Sequence, residues 1–533
     1  MSSIDSILKN AFGLEEFRPH QRAVIEDVMA GRNTLCVMPT GAGKSLCFQL
    51  PAVAMGGLAV IVSPLISLMA DQLLHLRRQQ LPTLVLNSAQ PAEMQMAVLR
   101  ELRQGYSGLL YVAPERFASA SFQRILPRLR PTLFAVDEAH CVSLWGHDFR
   151  PEYKRLAEVR RQLGNPATIA VTATATKQVQ KDILAMLGLD KPKVHVTGFD
   201  RTNLSYACRR FEKNADKTPA LLRFLSTQEG SGIVYCATRK SVEELGSLIG
   251  EKLHGRTVCI YHAGLEASAR KRNQLAFMQS PDAIAVATNA FGMGIDKPAT
   301  RFVVHYNLPG SLEAYYQEAG RAGRDGQPAS CLLYHSGADL RTQRFFIDRI
   351  GENNSGLTPA EITRLRQHAS RNLNLMLEYA EESRCRRLQI LEYFGDEQAQ
   401  VSGCNCDVCQ EAEFRRLHPN AVLPEQIAEA RRKAGQVVDE EPKSPRKRSG
   451  KKIDHAARLN ERQRRCFEHL RAWRLELAKS QAVPPFMILT DATMAELSLA
   501  APRDEEELLA VPGIGPRKAE LLGRELLRQI AIS

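Results

Sequence analysis

The chain has 533 residues, 44% of them hydrophobic, and a formal charge of +12. That length accommodates several domains and that apolar share fills real cores, which excludes a wholly disordered protein. The positive balance favours a polyanionic partner, nucleic acid before membrane, although charge alone selects neither. From residue 1 to about 200, LCVM, AVIVS, TLVLN, LLYVA, LFAVD and TIAVTAT read as strands separated by helical patterns. Such alternation predicts a parallel α/β sheet. The pattern returns between about 205 and 340 in GIVYCA, TVCIYHA, AIAVAT, RFVVHY and SCLLY. Beyond 340 the strands stop. ADLRTQRFFIDRI and the stretch from PAEITRL to EYFGD read as helices ending near Gly395. A cysteine cluster follows, then a polar stretch to about 455, then helical periodicity to the end.

The most apolar stretch, AVAMGGLAVIVSPLISLMA at 52–70, has the length of a membrane span. Gly56, Gly57 and Pro64 break it, and VIVS reads as a buried strand instead. MSSIDSILKN lacks a basic region followed by an apolar core, so no signal peptide is expected. Of the 12 cysteines, Cys36, Cys47, Cys141, Cys208, Cys236, Cys259, Cys331 and Cys466 are scattered singly, as in reduced cytosolic proteins.

MPTGAGKS at 38–45 lies between a strand and a helix, the setting a phosphate-binding loop requires. Gly41 and Gly43 allow backbone N–H groups near phosphate, Lys44 reaches the β- and γ-phosphates, and the Ser45 hydroxyl binds Mg²⁺. Together with Thr40 these are the expected nucleotide contacts. For the loop alone, a chance glycine turn carrying a lysine is the plain alternative. LFAVDEAH at 133–140 ends a strand in two carboxylates at the edge of a parallel sheet where ligands bind. Asp137 is expected to hold Mg²⁺ and Glu138 to polarise the attacking water. Alone this would read as a solvated loop, but its occurrence after the phosphate loop favours an ATP site. QEAGRAGRDG at 317–326 adds two arginines in a glycine-punctuated turn. Arg324, or alternatively Arg321, is expected to insert as an arginine finger, an element that accelerates phosphoryl transfer by about 10³–10⁵. The plain alternative is a salt-bridged surface turn. A second phosphate-facing module so far downstream implies a site completed from another domain, which is the layout of a motor.

These residues resemble the RecQ family of superfamily 2 DNA helicases. FRPHQ at 17–21 is similar to the family's adenine-reading motif, with Gln21 facing the base and Arg18 beside it. VSPLISLMADQ at 62–72, YVAPERF at 111–117, TATAT at 172–176, YHAGL at 261–265 and ATNAFGMGIDKP at 287–298 match further motifs. Met38, where the strict phosphate-loop pattern has glycine, is a departure usual in helicase-type motors. Leu14 stands where many relatives carry an aromatic, so base discrimination leans on Gln21. The resemblance covers 1 to about 410 and resumes at 456–533. It implies two RecA-like parallel-sheet motor domains, 1–205 and 206–340, and a helical zinc-binding module, 341–412. A basic flexible linker, 413–455, and a small all-α HRDC-like bundle, 456–533, complete the layout. It further implies ATP, Mg²⁺ and Zn²⁺ as cofactors, and single-stranded and branched DNA as substrates in repair or recombination. Candidate protein partners are single-strand-binding and recombination proteins. The expected location is cytoplasmic, of bacterial type and nucleoid-associated, with no membrane partner.

CVSLWGHDFRPEY at 141–153 crowds Trp145, His147, Phe149, Arg150 and Tyr153 onto one loop. Aromatic faces stack on exposed bases at about 1–3 kcal/mol per base. A hydrophobic plug is the plain alternative, but attachment to Asp137 and Glu138 argues for a nucleic-acid contact. The loop resembles the family's aromatic-rich loop, which couples single-strand binding to hydrolysis. His140 and TATAT resemble its coupling elements, against the plain readings of a packed histidine and buried threonine hydroxyls.

Cys385, Cys404, Cys406 and Cys409 are four soft ligands, the number a structural Zn²⁺ needs, with Cys385 on a helix and the others in the following loop. Four reduced thiols without metal are the plain alternative, and Cys404 is the ligand that the spacing puts in doubt. Relatives carry such a module after the motor. The spacing departs from theirs, because Cys404-Asn405-Cys406 leaves one residue where two are usual and Gly403 stands at the usual cysteine position.

Many relatives place a winged helix next. Here about 40 polar residues separate Cys409 from the last domain, so that domain is read as absent, and unwinding is weaker or rests on the motor and zinc module. KSPRKRSGKK at 443–452 is either a DNA-binding tether or mere solvation. The Gly513–Gly515 turn, followed by Arg517 and Lys518, presents N–H groups to phosphate or simply joins helices. The leading reading is an ATP-dependent DNA helicase translocating along single strands, with the 3′-to-5′ polarity that the family resemblance implies. A DNA-stimulated ATPase acting mainly in annealing or remodelling, and an RNA helicase, are the alternatives.

Overall fold

The computed structural model describes residues 3–64, 66–146, 149–291, 297–352, 357–396, 401, 404–410, 460–480, 489, 491–509, 511, 514 and 516–532. Residues 1–438 and 439–533 form two compact units. The first contains two parallel sheets.

The first sheet comprises β1 (Thr34–Val37), β2 (Leu58–Val62), β3 (Thr83–Leu86), β4 (Gly108–Val112), β5 (Leu133–Val136), β6 (Ala167–Thr172) and β7 (Lys193–Val196). Their order is β3-β4-β2-β5-β6-β1-β7, every pairing being parallel. Strands covered by helices on both faces need continuous apolar runs, and LCV, LAVIV and LFAV are buried along their whole lengths. The stretch long enough for a membrane span is therefore divided among the helix Leu46–Met55, β2 and the start of the helix Ile66–Arg78. Among the described residues, no helix is long and apolar enough to cross a membrane.

The second sheet comprises β8 (Leu204–Phe211), β9 (Ser231–Tyr235), β10 (Val258–Tyr261), β11 (Ile284–Ala287), β12 (Thr300–His305) and β13 (Ala329–Ser336). Its order is β10-β11-β9-β12-β13-β8, again parallel throughout. All eleven strands expected from apolar runs are present, and β7 and β8 are additional. β7 escaped the hydropathy reading because it is a four-residue sheet edge with Val194 and Val196 exposed. β8 escaped it because LSYACRRF interrupts its apolar residues with Arg209 and Arg210. Arg210 is paired there with Glu381 of the following helical region. The chain crosses from one sheet to the other between Val196 and Leu204, and that segment bears on the site below.

The helical region contains Gly337–Asp348, Pro359–Glu381 and Arg386–Tyr393. A reciprocal cap between Thr358 and Glu361 starts the long helix. The expected continuous helix to Gly395 is broken at Glu382. The cause is Arg386, which is fully buried and whose guanidinium donates to the carbonyls of Tyr379 and Glu382 while pairing with Asp407. Cys385 consequently stands at the start of the next helix rather than within one.

The second unit packs helices Glu461–Ser480, Asp491–Ala500, Glu505–Leu509 and Pro516–Ile532 around Phe467, Leu470, Met494, Leu497, Leu508 and Leu526. Arg474 is buried in this bundle, where its guanidinium donates to the Leu489 carbonyl at 2.8 Å. The linker 413–455, the basic run within it, Gly513 and Gly515 lie outside the described residues.

Candidate functional site

The phosphate loop leaves the end of β1 and enters the helix Leu46–Met55. Gly41 and Gly43 have φ of +89° and +79°, a region that favours glycine. Lys44 is buried, and its ammonium donates to the Met38 and Pro39 carbonyls at 3.2 and 3.4 Å. Ser45 Oγ accepts from the Gln72 amide at 2.8 Å, and Gln72 in turn meets Gln49 and Tyr111. Gln72 closes the VSPLISLMADQ motif, which contains nothing to single out this contact. Gln21 donates to the Ala42 and Gly43 carbonyls at 3.1 and 3.0 Å and accepts from the Arg18 N–H at 2.8 Å. The Arg18 guanidinium donates to the Gly41 carbonyl. FRPHQ is thus tied directly to the loop, with Leu14 exposed nearby in sequence.

Asp137 and Glu138 emerge from the end of β5. β6 lies between β5 and β1, so the carboxylates and the phosphate loop flank the end of β6. Burial pushes the Asp137 carboxyl above its ordinary range, Glu138 adds to this, and Lys44 opposes it. Burial likewise lowers Lys44, against the attraction of Glu138 and Asp137. Two crowded, partly desolvated carboxylates are a donor set that a divalent cation satisfies, so Asp137 and Ser45 could hold Mg²⁺. Glu138 has φ +47°, unusual for a non-glycine residue and found preferentially at functional sites. His140 Nδ1 lies 2.9 Å from Thr172 Oγ1 and 3.3 Å from Glu138 Oε2. Thr172 Oγ1 also donates to the Thr174 carbonyl. The imidazole Nδ1 is therefore hydrogen-bonded to the TATAT segment and lies beside the Glu138 carboxylate.

The arginine turn belongs to the second sheet's helix Leu312–Ala319 and the residues after it. A Cβ built on Gly41 would lie 3.4 Å from Arg324 Cγ, so the turn lies against the phosphate loop. The Arg324 charge is one of the influences lowering Lys44. Arg321 is buried and hydrogen-bonds Tyr235. The two arginines therefore face different surroundings, with Arg324 toward the phosphate loop.

In the aromatic loop, Trp145 is 40% exposed. Its backbone N–H donates to Ser143 Oγ at 3.1 Å. Phe149 lies under Lys154, with Nζ 5.5 Å from the ring centroid. Arg150 donates to the Pro64 carbonyl at 2.9 Å. Tyr153 is buried and donates to the Asp137 carbonyl at 3.1 Å, fastening the loop's far end to the carboxylates. A side chain on Gly146 would collide with the His140 carbonyl at 2.2 Å. His147 lies outside the described residues. The sequence reading missed His368, whose ring meets Trp145 edge-on.

The sulfur atoms of Cys385, Cys404, Cys406 and Cys409 all lie within 4.8 Å of one another. Cys385 Sγ is 3.5 Å from Cys404 Sγ and 4.0 Å from Cys406 Sγ. A tetrahedral Zn²⁺ with bonds of about 2.3 Å spaces its sulfurs by about 3.8 Å, so the cluster fits that ion. Cys404 sits within the cluster despite the shortened spacing. Asp407 between the ligands receives the Cys208 N–H of β8 at 2.9 Å, anchoring the loop to the second sheet.

Four family profiles match in series: "DEAD/DEAH box helicase" over 18–183, "Helicase conserved C-terminal domain" over 216–326, "RecQ zinc-binding" over 337–410 and "HRDC domain" over 463–530. The chain is 33% identical to the ATP-dependent DNA helicase RecQ of Haemophilus influenzae, covering 98% of this chain and 95% of that protein. It is 34% identical to the protein of the same name from Bacillus subtilis, covering 98% of each. These alignments span 605 and 595 positions, more than the 533 residues here, so the relatives carry stretches without a counterpart in this chain. Among solved structures, the DEAD-box helicase Mss116 bound to ssRNA shares the fold with a TM-score of 0.54 at 18% identity, over 69% of this chain and 83% of that one. The helicase MrfA bound to DNA gives 0.52 at 20% identity, over 66% and 54%. The paired parallel sheets, the phosphate loop faced by an arginine turn, the four-sulfur cluster and the near full-length relatives converge: the chain belongs to the RecQ family of ATP-dependent DNA helicases.

Proposed function

We propose that this chain uses ATP hydrolysis to translocate 3′-to-5′ on single-stranded DNA and to open duplex or branched DNA in repair or recombination, within the cytoplasm. The observation that carries this reading is the approach of Arg324 to the phosphate loop at Gly41. In the proposed cycle, Lys44 and the loop N–H groups hold the nucleotide phosphates, while Gln21 and Arg18 receive the base. Ser45 and Asp137 hold Mg²⁺, which supplies charge neutralisation at the phosphates when bound. Glu138 orients and deprotonates the attacking water. Arg324 stabilises charge on the transferred phosphoryl group, and because it comes from the second sheet, hydrolysis changes what holds the lobes together. His140 passes the state of Glu138 to Thr172 and the neighbouring loop. Trp145, Phe149 and Arg150, with His147, face the DNA strand. Cys385, Cys404, Cys406 and Cys409 hold Zn²⁺. The domain limits proposed are 1–205, 206–340, 341–412, 413–455 and 456–533.

The RNA-helicase and annealing readings gain no support from the relatives, which are named as DNA helicases. The test is strand displacement on forked, tailed and four-way DNA, with ATPase stimulation compared between DNA and RNA oligonucleotides. Unwinding that requires a 3′ single-stranded tail and stimulation by DNA over RNA are expected. ATPase activity without displacement on any of these substrates would refute the helicase function.

A further inference from the structure

The segment joining the two sheets holds a residue that no motif singles out. Arg201 lies between β7 and β8, half-buried. Its guanidinium donates to four main-chain carbonyls. One Nη donates to Thr40 of the phosphate loop at 2.9 Å and to Gly320 at 3.2 Å. The other donates to Ala322 at 2.9 Å and to Gly323 at 3.0 Å. Asn203, two residues on, donates to the same Gly323 carbonyl at 2.8 Å and to Gln327 at 2.9 Å. Gly323 has φ +55°, and a Cβ there would lie 2.4 Å from the Asn203 amide, so the turn is fitted closely to this segment. The carbonyls of Gly320, Ala322 and Gly323 flank Arg321 and lead directly to Arg324. One cationic fork thus spans the phosphate loop of the first sheet and the arginine turn of the second.

The segment is itself held. Asp200 pairs with Arg387 of the helix Arg386–Tyr393. Phe199 stacks on Phe394 with centroids 4.4 Å apart, and its carbonyl accepts from Tyr316 at 2.9 Å. Arg201 therefore projects from an anchored base. A planar guanidinium offers diverging donors fixed in one plane, which suits it to bridging carbonyls on separate elements; an ammonium is a single point charge and cannot span them.

We infer that Arg201 is a positioning residue for ATP hydrolysis, setting the arginine turn against the phosphate loop so that Arg324 is in register when the lobes close. This rests on the reading of Arg324 as the finger. Three of the four bonds stay within the second sheet's turn, and only the Thr40 bond joins the two sheets. Opening of the lobes costs that single bond, so the clamp travels with the turn and re-engages on closure.

The test is a double-mutant cycle on the full-length protein, measuring kcat and KM for ATP with a saturating oligodeoxythymidylate, plus equilibrium binding of a fluorescent ATP analogue. Arg201→Lys keeps the charge and much of the side chain's length while removing the fork. It is expected to lower kcat roughly hundredfold, the scale for a catalytic group displaced by about an ångström. KM and nucleotide affinity should stay within about twofold, since uniform binding is untouched. Adding Arg201→Lys to Arg324→Ala should cost nothing further, because groups acting as a unit are non-additive. Wild-type kcat in Arg201→Lys, or full additivity of the two losses, overturns the inference. So does a parallel fall in melting temperature and nucleotide binding, which marks Arg201 as structural only. If Arg324→Ala alone turns over normally, the finger reading fails instead, and the two failures are distinguishable.

Discussion

The Trp145 indole meets the His368 imidazole edge-on, with ring centroids 5.0 Å apart and planes at 81°. His368 Nε2 also lies 3.1 Å from the Trp145 carbonyl and 3.0 Å from Asn372 Nδ2. The loop that follows Asp137 and Glu138 is therefore seated on the helix Pro359–Glu381, which leads to the cysteine cluster. Lys154, just beyond the loop, pairs with Glu361 on the same helix. Burial holds the His368 imidazole below its ordinary range, which favours the neutral ring.

This geometry orders two mutational effects. Base stacking contributes about 1–3 kcal/mol, whereas an edge-to-face aromatic pair contributes about 0.5–1.5 kcal/mol. Trp145→Ala is expected to keep basal ATP hydrolysis and to lose DNA stimulation and unwinding. His368→Ala should move single-strand affinity and stimulation the same way, by a smaller factor. Titrating ATPase activity with an oligonucleotide checks both. Full stimulation of Trp145→Ala, or a larger defect in His368→Ala, contradicts the assignment.

Glu138 sits at a strained φ of +47°, held between Asp137 and His140. Glu138→Gln preserves size and backbone demand while removing the proposed base. It is expected to bind ATP normally and to lose turnover by about 10²–10⁴, the usual contribution of a general base. Single-turnover hydrolysis at near-normal rate would place the base elsewhere.

The cysteine cluster predicts one zinc per chain. Cys404→Ser should lose the metal as readily as Cys385→Ser, because the two sulfurs are 3.5 Å apart. Metal binding contributes on the order of 10 kcal/mol in small zinc modules, so chelation should lower the melting temperature and loosen the region fastened by Asp407. Zinc content by atomic absorption is the readout. Retention of full zinc by Cys404→Ser would remove that residue from the ligand set.

Most of this site was legible because phosphoryl transfer constrains residue type and spacing together. GAGKS, DEAH and the arginine turn each carry their chemistry in a few contiguous residues, and the apolar runs gave eleven of the strands. What the sequence left unread are contacts made between distant segments. Arg201 donates to backbone carbonyls, which carry no residue identity, so nothing at Thr40, Gly320 or Ala322 marks a partner. His368 lies 223 residues from Trp145. The break before Cys385 depends on Arg386 finding Asp407, and helical periodicity passes straight over it.

The fit of Gly43 to Gln21 yields a prediction about why the loop and FRPHQ occur together. A Cβ on Gly43 would stand 2.4 Å from Gln21 Nε2, and its φ of +79° is unfavourable for any side chain. Gly43→Ala should therefore incur two separable costs: backbone strain of about 1–3 kcal/mol, and displacement of the amide that donates to the Ala42 and Gly43 carbonyls. Gln21→Ala alone loses those hydrogen bonds and the proposed base contact. In the double variant the collision is relieved because no amide remains to be displaced, while the strain persists. ATP affinity is thus expected to fall by less than the sum of the single-variant losses. Measured by fluorescent-nucleotide titration, strict additivity would mean that Gly43 is required for its backbone conformation alone and that Gln21 does not press on it.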